Sequence, residues 1–199
     1  NPPSDVVMTE LKLPPAGDAT SWEAPLALTE NATDIDEVIR SVDRNGLRCP
    51  ELLSMIRRSL QIKKAVIEED EYESDLRRIL NYGHTVGHAI ESASDFRLRH
   101  GEAIALGMMA EAKIAVDKGF CDEATLMLQN QLLMRTGLCS WDTGVKESDV
   151  IELMASDKKA REGMIRFVLL GGVAKTVNCD DVTKCEIGTG LHFVKQETS

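Results

Sequence analysis

Residues 76–102 read LRRILNYGHTVGHAIESASDFRLRHGE and hold three of the chain's four histidines. Taken as a helix at about 100° per residue, the stretch brings Arg77, Asn81, His84 and His88 within roughly 60° of one another. Ile79, Tyr82, Val86 and Ile90 take the opposite side, an apolar face suited to burial. Gly83 and Gly87, four apart, leave a strip without side chains where a second backbone can come close. One face apolar and the other bearing a guanidinium, an amide and two imidazoles describe the wall of a polar cleft.

Outward from this stretch the pattern stays helical. Pro50 at a first-turn position starts ELLSMIRRSLQIKKAVIEED, with apolar spacing from Leu52, Met55, Ile56, Leu60, Ile62, Ala65 and Val66. Before it, Asp34 or Asp36 caps a shorter helix, IDEVIRSVDR, and Ser74 caps the central one. After it, HGEAIALGMMAEAKIAVDKG is apolar nearly all round and stops at Gly119, which places it at the centre of the core. DEATLMLQNQLLMRTG and ESDVIELMASDKKA predict two more helices. MIRFVLL and GGVAKTV, around Gly171 and Gly172, predict a β-hairpin near residues 164–177. The tail from Asp180 is weakly patterned. Residues 1–33 carry five of the six prolines and read as an extended arm or linker, so the folded domain is expected over residues 34–199.

Composition bounds the function. With 199 residues there is room for one good-sized domain, and 4% aromatics with eight Met suit packed helices. A net charge of −10 argues against nucleic acid or an anionic membrane surface as the main partner. No apolar run approaches about 18 residues, so no membrane span is expected. Cys49, Cys121, Cys139, Cys179 and Cys185 show no metal-ligand spacing and read as reduced thiols. The expectation is a soluble protein of a reducing compartment, cytoplasm or plastid stroma.

The chemistry centres on the histidines. His84 and His88, four apart on one helical face, either chelate a metal or are structural, and the spacing alone leaves both open. His100 adds a third imidazole at a helix start beyond a short loop. Lys63 with Lys64, and Lys158 with Lys159, read either as solvated faces or as an anion site gathered around Arg77.

Taken in order, Lys63, the DEYESDLR segment, LNYGHTVGHAIE, HGEAIALGM and DKK followed by GMIRFVLL resemble the C-terminal half of 3-dehydroquinate synthase, from about Ile35 to Val177. The resemblance implies a mainly α, multi-helical metal-binding domain of the sugar-phosphate cyclases, which follows an NAD-binding α/β domain. It implies that His84 and His100 are two of three protein ligands of a catalytic zinc. His88 would stand near the substrate phosphate and assist proton movement. Arg77, Asn81, Lys63 and one of Lys158 and Lys159 would bind a phosphorylated sugar-acid substrate, with Arg77 toward its carboxylate. The implied reaction turns the keto-acid phosphate DAHP into 3-dehydroquinate and phosphate, a lyase step of the shikimate pathway, with NAD transiently oxidising a hydroxyl that zinc polarises. An oligomer is expected.

No Gly-rich phosphate loop after a strand occurs in these 199 residues, so the NAD-binding half has no counterpart here. Nor is there a convincing match to the family's Ala-Glu-x-x-Lys motif, whose Glu is the third zinc ligand. Glu37 imitates it, but by order and distance its segment matches a later helix. Zinc or another divalent metal is therefore expected, with a third ligand from a partner, another side chain or water. NAD is expected only with an NAD-binding domain or chain, and the chain alone is expected not to turn over DAHP. The alternatives are a non-catalytic interaction subunit of a larger assembly, or a related cyclase acting on sedoheptulose or glucose phosphate.

Overall fold

The computed structural model describes residues 7–10, 40, 50–71, 76–142, 144–160, 165–173 and 175–198. The chain divides into two compact units, Glu10–Leu80 and Asn1–Thr9 with Asn81–Ser199. The helix expected over IDEVIRSVDR (apart from the helical Arg40), the Ser74 cap and most of the arm fall outside the described residues.

In the Glu10–Leu80 unit the main element is α1 (Pro50–Glu69), twenty residues long and starting at Pro50, as its sequence predicts. Proline suits a first turn because its missing N–H would have no intrahelical partner there. Lys64 pairs with Glu68 one turn on at 3.5 Å, and the Arg77 amide donates to Asp70 at 3.0 Å.

The larger unit holds the core. Its helices are α2 (His84–Ala93), α3 (His100–Asp117), α4 (Glu123–Arg135), α5 (Glu147–Ala160) and α6 (Lys184–Thr198). Strands β2 (Phe167–Gly172) and β3 (Lys175–Cys179) form the expected hairpin, paired antiparallel from Phe167 with Cys179 to Gly172 with Lys175. A further strand, β1 (Val7–Glu10), within the stretch read as an arm, lies next to β3 in the order β1-β3-β2. The mainly α class with one small hairpin is what the helical spacing and the two β-like runs predict.

α3 is the central helix. Ala103, Leu106, Met109, Ala110, Ala112, Ile114 and Ala115 are all fully buried, packed with Val86 and Ile90 of α2, Val150 of α5, Phe167 and Leu169 of β2 and Leu191 of α6. Its small residues let other helices approach closely. A Cβ on Gly107 would stand 2.6 Å from the Gly87 nitrogen and against the Gly83 carbonyl oxygen. A Cβ on Gly87 would stand 2.8 Å from the Ile104 side chain and 3.0 Å from the Ala103 carbonyl oxygen. The expected glycine strip is therefore a backbone crossing, with a glycine of α3 completing it. On another side of α3, Gly190 of α6 passes the Ala110 carbonyl with room for no more than a hydrogen, since a Cβ would lie 2.9 Å from that oxygen.

Two expectations are corrected. The stretch from Ser74 through Ala93 is not one helix. Leu76–Asn81 winds as a 3-10 helix, Gly83 turns at φ +80°, and α2 begins afresh at His84. With three residues per turn in the first part and a left-handed residue after it, Arg77, Asn81, His84 and His88 do not share one helical stripe. Secondly, the weakly patterned tail contains α6. Thr183 Oγ1 accepts the Glu186 amide at 3.2 Å while Glu186 accepts the Thr183 amide at 2.7 Å, a reciprocal capping box that starts the helix. Lys118 at the end of α3 adds ion pairs to Asp181 at 3.2 Å and Glu186 at 3.1 Å.

Among the described residues no helix is long and apolar enough to cross a membrane. The four described cysteines are free thiols. Burial pushes Cys121, Cys139 and Cys179 up to about 11, which keeps them as inert thiols.

Candidate metal centre

Three imidazoles converge where α2 runs beside the start of α3. His84 opens α2, His88 follows one turn later on the same face, and His100 opens α3. Ring centroids are 5.3 Å apart for His84 and His88, and 5.5 Å for His100 with either of them. One ligand nitrogen from each lies within 4.8 Å of the other two. A tetrahedral zinc with bonds of about 2.1 Å needs ligand atoms about 3.4 Å apart, so nitrogens that lie within 4.8 Å of one another would have to draw closer around an ion. His84 is half-buried, while His88 and His100 are exposed, so the group sits at the surface of the unit with its ligand side open. The donor set, all imidazole, suits a divalent ion of the zinc or cobalt type.

The protein orients these rings. Nδ1 of His84 lies 3.1 Å from the Tyr82 carbonyl oxygen. A carbonyl can only accept, so Nδ1 carries the proton and the lone pair of Nε2 is the one that could meet a metal. Nδ1 of His100 lies 3.4 Å from Glu91 Oε2, the outer carboxylate that metal-binding histidines commonly use. The start of α3 is fixed by its own Glu102, which accepts the Arg99 amide at 2.7 Å.

The start of α2 is held differently. Gly83 offers no side chain, and the cap comes from Glu111 on α3, whose Oε2 accepts the Gly83 amide at 2.6 Å and Oε1 the Val86 amide at 3.0 Å. Glu111 is fully buried. Burial pushes its carboxyl up from 4.5 to about 8, against the backbone N–H groups of Val86, Gly83 and Thr85 that hold it down. Beside it the Tyr82 hydroxyl meets Gln129 Oε1 at 2.5 Å and the Met108 carbonyl at 3.2 Å, and burial raises its pKa well above the ordinary value.

Of the residues singled out from the sequence, His84, His88 and His100 are brought together. Asn81 ends the 3-10 segment, exposed, three residues before His84. Lys63, exposed on α1, and Arg77 belong to the Glu10–Leu80 unit, where the Arg77 guanidinium donates to the Glu71 carbonyl at 3.1 Å. Lys158 and Lys159 fall in the last turn of α5, where only the backbone is described. Spacing alone within residues 76–102 does not point to Glu111 or Glu91, and it places Tyr82 only on the apolar face. A signal for Glu111 was present: it is the one carboxylate between Ala103 and Ala112, and eleven residues after His100 it returns to within about 20° of the same helical face.

A helical domain of the sugar-phosphate cyclase type, with a histidine cluster at the head of its two central helices, is the class that fold and site define. The family described as 3-dehydroquinate synthase C-terminal matches residues 24–160, and the chain belongs to it. The 3-dehydroquinate synthase of Rippkaea orientalis is 43% identical over 141 residues, 70% of this chain and 38% of the relative. The fold is shared with the 2-epi-5-epi-valiolone synthase ValA of Streptomyces hygroscopicus subsp. jinggangensis, a structure with NAD+ and Zn2+ bound, at a TM-score of 0.71 and 23% identity, covering 85% of this chain and 46% of that one. A 2-deoxy-scyllo-inosose synthase complexed with carbaglucose-6-phosphate, NAD+ and Co2+ gives a TM-score of 0.61 at 29% identity, covering 73% and 41%. The chain thus spans about two-fifths of the length of the curated relative it matches.

Proposed function

We propose that this chain is the metal- and substrate-binding half of a 3-dehydroquinate synthase, converting DAHP to 3-dehydroquinate and phosphate together with an NAD-binding half. The observation that carries the reading is the meeting of His84, His88 and His100 within 4.8 Å, inside the segment that matches the family. In this reading His84 and His100 hold a zinc or similar divalent ion. Bound there, the ion supplies Lewis-acid polarisation of the substrate hydroxyl that NAD oxidises. His88, one turn after His84 and exposed, takes and returns the proton as phosphate leaves. Lys63, Arg77, Asn81 and one of Lys158 and Lys159 bind the anionic ends of the substrate. The planar fork of Arg77 suits the carboxylate, and lysine suits the phosphate as a point charge.

The likeness to cyclases of other sugar phosphates favours a second reading, action on sedoheptulose or glucose phosphate. The 43% identity to a 3-dehydroquinate synthase supports DAHP instead. The test is phosphate release by the chain with zinc, NAD and an added NAD-binding half from a 3-dehydroquinate synthase. Release from DAHP, and its loss in H88A, is the expected result. Release from sedoheptulose 7-phosphate or glucose 6-phosphate alone would establish the second reading. Tight metal binding with no release from any of the three would support a non-catalytic interaction subunit.

A further inference from the structure

One peptide unit, Tyr82–Gly83, faces two partners at once. Its N–H donates to Glu111 Oε2 at 2.6 Å, and its carbonyl oxygen accepts from His84 Nδ1 at 3.1 Å. Carboxyl, amide and imidazole stand in series. We propose that Glu111 is a positioning residue for His84, acting through the Tyr82–Gly83 peptide to fix which ring nitrogen carries the proton and where the other one points. The proposal rests on the reading of His84 as a metal ligand and extends it to a residue on another helix.

Geometry makes the device stiff. Glu111 grips the turn at two points, because its second oxygen accepts the Val86 amide at 3.0 Å and so sets the rotation of the first turn of α2. At φ +80° Gly83 is turned so that its N–H faces α3, and the room for a side chain there is taken by Ile104 and Met108. The Tyr82 hydroxyl, bonded to Gln129 and to the Met108 carbonyl, pins the residue that carries the carbonyl. Glu111 has no exposed surface, so its oxygens serve the two amides away from bulk solvent. A bond along the amide polarises it, so the acceptor bond on the N–H side strengthens the carbonyl as an acceptor for the imidazole. His100 provides an internal control, because its Nδ1 is served by Glu91 instead.

The test uses long-range 1H–15N spectra of the histidine rings in the metal-free 199-residue chain, with zinc affinity by competition against a chelating dye. Wild type should show His84 as the Nδ1–H tautomer with a slowly exchanging ring proton. In E111Q the amide has a single acceptor oxygen, so one of the two backbone N–H groups is orphaned. The expected result is mixed His84 tautomers, an unchanged His100 spectrum and zinc affinity weakened about tenfold. A merely structural role would lower the melting temperature but leave the tautomer and the low-temperature affinity alone. His84 as the Nε2–H tautomer in wild type overturns the proposal, as does an E111Q protein with wild-type tautomer and affinity. If E111Q does not fold, E111D, whose carboxyl falls one methylene short of the Gly83 amide, is read in the same way, and the Nε2–H tautomer in wild type still overturns the proposal. If wild type binds no zinc the metal reading fails, while the tautomer continues to report on the relay.

Discussion

The two helices that carry the site histidines begin in opposite ways. α3 is capped from within, Glu102 accepting an amide three residues back. α2 is capped from outside, by a buried carboxyl 28 residues further along the chain. A local cap forms with its own helix and depends on nothing else. The distant one exists only after α2 and α3 have crossed at Gly83, Gly87 and Gly107, so the placement of the His84 ring is tied to core packing while that of the His100 ring is tied to its own first turn.

The largest break should come at the crossing. G107A puts a methyl 2.6 Å from the Gly87 nitrogen, between backbones that cannot move aside. We expect a loss of about 3 kcal/mol or more, and a melting temperature lower by about 10 °C. Next is E111A, measured at pH 6, which leaves the buried Gly83 and Val86 amides without acceptors at about 1–3 kcal/mol each. Differential scanning calorimetry reads both.

The same carboxyl sharpens the comparison through pH. Its folded pKa, about 8, lies above the ordinary 4.5, so the folded state keeps a proton that the unfolded state releases. Stability should therefore fall as pH rises from about 4.5 to about 8 and level off beyond that. Urea titrations across this range should show the decline in wild type and a flatter profile in E111Q, with the general effect of net charge common to both. The smallest effect belongs to the local cap: E102A should cost about 0.5–1 kcal/mol, with the His84 tautomer unchanged.

Legibility in the sequence follows the same division. Pro50, Asp122 and the glycines at 119 and 137 are local stop and start signals, and α1, α3 and α4 lie where they predict. α6 carries a local signal too, Thr183 with Glu186 ahead of Ile187, Leu191 and Val194, but Gly188 and Gly190 interrupt its short apolar stripe and leave the pattern weak. The break between the 3-10 segment and α2 was not legible, because a glycine in a helical pattern is compatible with either winding until α3 claims the space beside it. The meeting of the three imidazoles could be anticipated from His84, His88 and the helix start at His100. Spacing marks Glu111 as a lone carboxylate in an apolar helix but not its role, since its partners are backbone amides that carry no sequence signature.

The central claim, that His84 and His100 at the heads of two differently capped helices form one metal centre, is tested most directly by titrating the 199-residue chain with Co2+ and following visible absorption. One equivalent should bring up an intense band of tetrahedral cobalt, and H84A and H100A should each abolish it. No band in wild type, or bands of wild-type intensity in both variants, would contradict the account.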